Sequence, residues 1–391
     1  MLIRILLLSL LLCAVPCFFS FKHARGLRRF RKPRETTAIG SIKGPTRYST
    51  SNWAENILSL PSSRILKRTK SSILTVTLWA CLLTYVSKVK GVLLTRGLPT
   101  WIFSILGSAL SLLLVFRTNS AYSRFTEGRT SWSLVLVGCR NIARLAYYLP
   151  KEFHPKIASL LVIFCITLKQ HLQGERDVSE VDPFFTATVP SRNIEIARKS
   201  SIYYLNKVTN RPLQTLLEIE KTVHEALLES YKKEKTLESD ILPKYIEKGF
   251  LDAYELLSTQ IAVCEKLVKQ PVPLSYSRHT SRFLTLYLFS LPFALIPDIG
   301  VLTIPITTAI CWSFVSIQEI GHFIEEPFNK DLTLISLPQM CAVVCSDVSE
   351  LLNGIFADNA EIRKLNEFLF MKSVDASRTK DESDFIYYDR S

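Results

Sequence analysis

The sequence predicts an all-α membrane protein with four transmembrane helices and a helical extramembrane domain. Three observations predict it. Charged residues make up only 21% of the chain and are so segregated that long uncharged runs appear between them. The segments joining those runs carry apolar residues at three- and four-residue spacing, as in "LVLVGCRNIARLAYYL" and "PLQTLLEIEKTVHEALLESYKKEKTLESD", the pattern of amphipathic helices. No segment alternates with period two for long enough to suggest a sheet.

The uncharged runs are 71–87, 97–116, 283–297 and 299–318. Two of them reach the roughly 20 residues that a straight helix needs to cross a bilayer. The other two come close enough when flanking Lys and Arg stretch their charges to the interface. The expected spans are therefore about 71–90, 97–117, 282–297 and 299–319, within one folded domain over 51–370. A fifth apolar run, 157–168, has only twelve residues and reads as a buried helix of the extramembrane part. An even number of spans puts the middle region and both ends of the domain on one side of the membrane. Lys67, Arg68, Lys70, Arg117, Arg124, Arg129, Arg278 and Arg282 cluster towards that side. The extramembrane helical part covers 128–280 and 325–370. The polar tail 371–391 is expected to be disordered.

The formal net charge of +13 invites a nucleic-acid reading, but residues 1–50 hold ten Lys and Arg against the single acid Glu35. Nine of the thirteen charges are thus in the leader. The remainder has no aromatic-interleaved basic stripe, so no nucleic-acid partner is expected. Residues 1–17 have one early Arg and an apolar core over 5–15, the build of a signal peptide. Residues 18–50 are rich in Arg, Ser and Thr and nearly free of acids, which is the composition of an organelle transit peptide. Signal followed by transit segment, with Phe at the junction, resembles the two-part plastid presequence of algae with complex plastids. A basic arm on a single-pass anchor is the plainer alternative.

The nine cysteines include no CxxC and no Cys/His set at metal-ligand spacing. They read as reduced packing residues, and Cys341 and Cys345 share a helical face without evident partners. There is no GxSxG, HExxH or P-loop, and the six His are dispersed. His171 and Asp177 are not otherwise marked as an acid/base pair, and His279 between two arginines reads as an interface residue rather than a proton carrier. The expectation is a protein that is not an enzyme.

Transport needs less: a path through hydrocarbon, a constriction, and a field of suitable sign at its mouth. Ser104, Gly107, Ser108 and Ser111 would let the second span approach its neighbours closely. Ser108, Leu112 and Phe116 fall on one face at i, i+4 and i+8. That face is either a pore lining or a packing stripe. Just beyond it, "FRTNSAYSRFTEGRTSW" crowds charges and hydroxyls at the end of the span.

That stretch closely resembles the second-helix signature of the bestrophin family of anion channels. "PVPLSYSRHTSRFLTLYLFSLPFAL" at 271–295 and "IPITTAICWSFVSIQEIGHFIEEPFNKDLTLISL" at 304–337 resemble the family's third and fourth helices and its EEPF turn. The likeness runs over about 70–370 and is nearest to the voltage-dependent chloride channels of thylakoids. It implies a homopentamer in membrane lipid with one axial pore, whose neck falls on Ser108, Leu112 and Phe116. Ser108 departs from the bulky apolar residue of the pattern, so a wider or wetter outer ring is expected. Arg117, Asn119, Arg124 and Arg129 would supply the field at the pore mouth, with Asn119, Tyr122, Ser123 and Glu127 orienting the arginines. Glu127, Arg278, Arg282, Glu325 and Glu326 are candidates for structural ion pairs.

Calcium-gated members follow the turn with a run of acids. Here Lys330, Asp331 and Leu334 supply one carboxylate, too few for an oxygen-ligand site. No cofactor or metal is expected, only chloride as permeant ion. The resemblance therefore implies a passive chloride channel in the plastid thylakoid membrane, balancing the proton motive force. The alternatives are a bicarbonate channel of the same fold, a coupled anion transporter, and placement in the plasma membrane or another endomembrane. No acid lies within the uncharged runs, Glu319 standing only at the end of the fourth span, which speaks against the transporter.

Overall fold

Apolar side chains dominate this chain in two different ways, outward-facing in one unit and inward-facing in the other. A computed structural model describes residues 60, 63–90, 99–186, 207–233, 241–329, 335–352 and 355–356. The expected signal peptide, transit segment and polar tail lie outside the described residues, as do Lys330, Asp331 and Leu334 of the expected calcium turn. Among the described residues the regular structure is helical throughout, with no strand.

The elements are α1 (Arg64–Lys90), α2 (Thr100–Ala146), α3 (His154–Gln173), α4 (Asp182–Thr186), α5 (Arg211–Lys233), α6 (Ile241–Lys269), α7 (Leu274–Ile299), α8 (Thr303–Glu325) and α9 (Leu337–Leu351). Short 3₁₀ turns at Lys151–Phe153 and Gly300–Leu302 lead into α3 and α8. The chain divides into two compact units, at Ser120/Ala121, Pro271/Val272 and Phe323/Ile324. Helix α2 contributes residues to both.

The first unit contains α1, the first half of α2, α7 and nearly all of α8. Its apolar windows are long enough to cross a membrane, yet only 22% of the α1 window, 22% of the α2 window and 28% of the α7–α8 window are buried inside the protein. Leu74, Leu78, Leu82, Leu286 and Trp312 all face outwards. Exposed apolar surface on this scale is what hydrocarbon solvates. A smaller inner cluster joins Ile73 and Val76 of α1, Leu110 and Leu114 of α2, Leu284, Leu288 and Leu291 of α7, and Cys311 of α8.

In lipid, such helices associate by close packing and by interhelical hydrogen bonds worth about 0.6–2 kcal/mol each. Both devices are present. A Cβ on Gly107 would lie 2.9 Å from the Tyr287 hydroxyl, so the missing side chain sets the closeness of α2 and α7. The Thr77 and Thr308 hydroxyls are 2.9 Å apart across α1 and α8. The Trp79 indole donates to the Phe289 carbonyl at 3.0 Å, just before Pro292 interrupts the α7 ladder.

The second unit is built around α3. By length and hydropathy this helix, with its 3₁₀ lead-in, would also pass for a span, but 83% of its window is buried inside the protein. Side chains from Ile157 to Gln170 are buried all round the helix, with α5 and α9 as its main neighbours. Trp132 and Ile142 of α2, Ile219 of α5, Leu257 of α6 and Val344 of α9 complete the core.

Cys341 and Cys345 do have neighbours, because α9 packs onto α3. They share this core with Cys139 and Cys165, whose sulfurs are 3.6 Å apart as free thiols. Burial pushes the Cys341 and Cys345 thiols up to about 12, so they stay protonated and unreactive.

Candidate functional site

Helix α2 carries the residues singled out in the sequence. Within the first unit, Leu110 and Leu114 are buried, whereas Ser108, Leu112 and Phe116 are exposed, the last two at 56% and 57%. Spacing of i, i+4 and i+8 puts all three on one face, and nothing in the described chain covers it. The Ser108 hydroxyl donates to the Ile105 carbonyl at 2.8 Å and the Ser111 hydroxyl to that of Gly107 at 2.8 Å. These hydroxyls are satisfied by their own helix and need no partner elsewhere.

The four residues expected to set the field at the mouth do not behave alike. Arg117 is 6% exposed and held within the protein. Asn119 and Arg129 are exposed. Arg124 is taken up entirely by backbone: its guanidinium donates to the carbonyls of Leu267 (2.6 Å), Gln270 (2.7 Å) and Glu325 (3.2 Å). Leu267 and Gln270 are at the C-terminal end of α6, and Glu325 ends α8. Helix C-termini expose unpaired carbonyls and about half a negative charge, so one cation here closes two helix ends. The geometry gives Arg124 a structural role, and Arg129 is the arginine of the motif with its charge on the surface.

The ion-pair candidates also divide. Glu127 pairs with Lys266 of α6 at 2.5 Å, not with the arginines of its own motif, because its turn of α2 faces α6. Glu326 accepts from the Asn329 amide at 3.3 Å. The Glu325 side chain is buried. Arg278 and Arg282 are exposed and form no ion pair among the described residues. The first unit instead uses Arg68, 3.3 Å from Glu319 and stacked over the Phe323 ring at 5.2 Å. His279 rests near Phe283 with ring centroids 6.4 Å apart.

Gly128, inside the motif, is a contact point that the motif by itself does not mark. A Cβ there would meet Pro327 at 3.1 Å and Phe328 at 3.2 Å. The glycine of "EGR" and the "EEPF" turn are thus two halves of one close approach, brought together by the fold of the second unit. A glycine inside a strongly helical stretch was the available signal.

Behind Arg124, the α6 end is tied down by a polar cluster. Glu265 receives Lys269 at 2.6 Å and the Asn210 amide at 2.8 Å, and His171 Nε2 lies 3.1 Å away. Burial alone would raise the Glu265 carboxyl. Hydrogen bonds and charge from Lys269 and His171 outweigh it and hold the group below the usual carboxylate range. His171 therefore works with Glu265 rather than with Asp177. Among the described residues, no group of three or more His, Cys, Asp or Glu is arranged to hold a metal ion.

A family model described as bacterial/fungal bestrophin protein matches residues 46–350. The chain belongs to the bestrophin family. Among its relatives is a voltage-dependent anion channel-forming protein of Nostoc sp., 30% identical over 268 residues, or 63% of this chain and 77% of the relative. Another is the chloroplastic voltage-dependent chloride channel 2 of Arabidopsis thaliana, 31% identical over 254 residues, 63% of this chain and 55% of the relative. A solved bacterial bestrophin homologue from Klebsiella pneumoniae shares the fold with a TM-score of 0.61 and 23% identity. That match covers 73% of this chain and all of the other. In this bestrophin, therefore, α2 presents an uncovered face at Ser108, Leu112 and Phe116 and, further along its signature stretch, an anchor at Arg124 and Gly128.

Proposed function

We propose that this bestrophin is a passive anion channel, conducting chloride across a plastid thylakoid membrane as a homopentamer with α2 helices around its axis. One observation carries the reading. The i, i+4, i+8 face of α2 is exposed in the subunit although the opposite face is packed, and its lower two residues are bulky and apolar. Repeated round an axis, that face makes a narrow hydrophobic neck that passes ions only when wetted. The names of the relatives, voltage-dependent anion and chloride channels, agree with it. Ser108 makes the outer ring the widest and most polar of the three. Arg129 and Asn119 are the exposed groups that bias the pathway towards anions, and no cofactor takes part.

The placement rests on the composition of residues 1–50 and on the chloroplastic relatives. Reconstitution into planar bilayers tests the function. In a chloride gradient the reversal potential should follow the chloride equilibrium potential, at any calcium concentration. Currents that need calcium, or that reverse at a cation potential, would refute it. Mass measurement in mild detergent tests the assembly, and a monomer or dimer would remove the axial pore.

A further inference from the structure

We propose that the first unit carries a binding site for one anionic lipid, whose headgroup bears phosphate or a similar oxyanion, in a groove between α1, α7 and α8. The proposal needs this unit to lie in a bilayer but not that it conducts ions. The groove encloses about 330 Å³, within the range of roughly 300–1,000 Å³ typical of small-ligand sites. Its lining changes character with depth. Ser71, Ser72, Ser281, Gln318 and Glu319 form one end, and Val76, Leu284, Leu288 and Val315 the other. The polar end coincides with the charged boundary of the spans, since Lys70 and Arg282 precede two of the apolar runs and Glu319 follows a third. A groove that is polar at the interface and apolar towards the hydrocarbon has the polarity profile of a lipid.

Hydrogen bonding selects the headgroup. The side chains of Ser71, Ser72, Ser281 and Gln318 have no hydrogen-bond partner among the described residues, so three hydroxyls and an amide remain available as donors. Thr75 and Thr285 are already committed, to the carbonyls of Ser71 and Ser281 at 2.9 Å each. Unused donors call for an acceptor-rich group, and oxyanions carry the most acceptors. Charge points the same way. Glu319 is neutralised by Arg68 at 3.3 Å, while Arg282, three residues before the lining Thr285 and so on its face, has no acid partner among the described residues. The rim is left net positive. Basic pockets between spans are a general means of holding anionic headgroups.

The test uses the purified, delipidated full-length assembly, with lipid retention read by native mass spectrometry and stability by melting temperature. Phosphatidylglycerol, phosphatidylcholine with the same chains, and inorganic phosphate are added separately. The expected result is one phosphatidylglycerol per subunit with a raised melting temperature, and neither effect from the other two. Arg282→Gln should weaken retention about fivefold, the usual worth of one basic residue near an anionic headgroup. Gln318→Leu removes a donor without removing charge and should also reduce retention. Equal retention of phosphatidylcholine, as from a neutral annulus or a groove filled by a neighbouring subunit, would overturn the proposal. So would stabilisation by phosphate alone, which would mean a free-anion site. Wild-type retention in both variants would overturn it too. Melting in phosphatidylcholine at the wild-type temperature verifies that each variant is folded.

Discussion

Arg124 donates to the backbone carbonyl of Glu325 at 3.2 Å across 201 residues of sequence. The same guanidinium also closes the end of α6, so within the second unit one side chain ties α2 to the last residue of α8 and to the C-terminal end of α6. Hydrogen bonds to charged groups contribute about 1.5–3 kcal/mol each. Arg124→Ala should therefore lower the melting temperature by well over 5 °C in detergent, since about 1 kcal/mol corresponds to a few degrees in a chain of this size. Arg124→Lys should recover only part, because an ammonium lacks the planar fork that reaches three carbonyls. Melting of the alanine variant within 1 °C of wild type would contradict the anchor.

Gly128→Ala probes the other half of that junction. In an open helix this change gains up to about 1 kcal/mol. Here the added Cβ meets a proline ring at 3.1 Å and a phenyl at 3.2 Å, both on buried residues, and overpacking of this kind costs about 1–3 kcal/mol. Net destabilisation is expected, greater for Gly128→Val, and differential scanning fluorimetry checks it. A stabilised alanine variant would mean that the turn yields freely.

Phe116→Ala and Leu112→Ala should each raise single-channel conductance or relax discrimination among anions. Both side chains are more than half exposed, so the fold of the subunit should persist. Ser108→Leu should do the opposite by adding a third apolar ring. Recordings identical to wild type in all three variants would place the narrow section elsewhere.

Acid should weaken the second unit through Glu265. Its carboxyl is depressed in the folded state, so the stabilisation is fully present above the unfolded value of about 4.3. It is lost as pH falls below that value and through the folded one. Melting temperatures measured from pH 7 down to pH 3 should show this loss in wild type and a shallower one in Glu265→Gln. Parallel curves for the two proteins would rule out the contribution.

Residues 1–50 should carry a fluorescent protein into a plastid and be absent from the mature chain. Their ten basic residues and single acid suit an import segment and would be unusual in a retained arm. Import assays and N-terminal sequencing check the two halves separately. A mature chain beginning at Met1 would oppose the plastid reading and leave the channel reading intact.

The four apolar helices were legible from charge spacing alone, because partition into hydrocarbon depends on local composition and length, which a sequence states directly. Charge spacing leaves 157–168 only twelve uncharged residues. The length and hydropathy of α3 would nonetheless admit it as a span, and it is the 83% burial of its window inside the protein that sets it apart. The spacing of Ser108, Leu112 and Phe116 placed them on one face, but whether that face was packed within the subunit depended on which side α7 and α8 take. Their packing against Leu110 and Leu114 decided it.

Partnerships were not legible. In the sequence Arg117, Arg124 and Arg129 look equivalent, and Glu127 sits between them as a natural acceptor. Only the tertiary structure buries the first, gives the second three carbonyls, leaves the third exposed, and turns Glu127 to Lys266. Gly128 likewise gains its meaning from Pro327, 199 residues on. The sequence determined which segments are apolar, helical and charged, since each is a property of neighbouring residues. The tertiary structure decided which charges are consumed by helix ends and which remain on the surface, because that depends on backbone carbonyls brought together from distant parts of the chain.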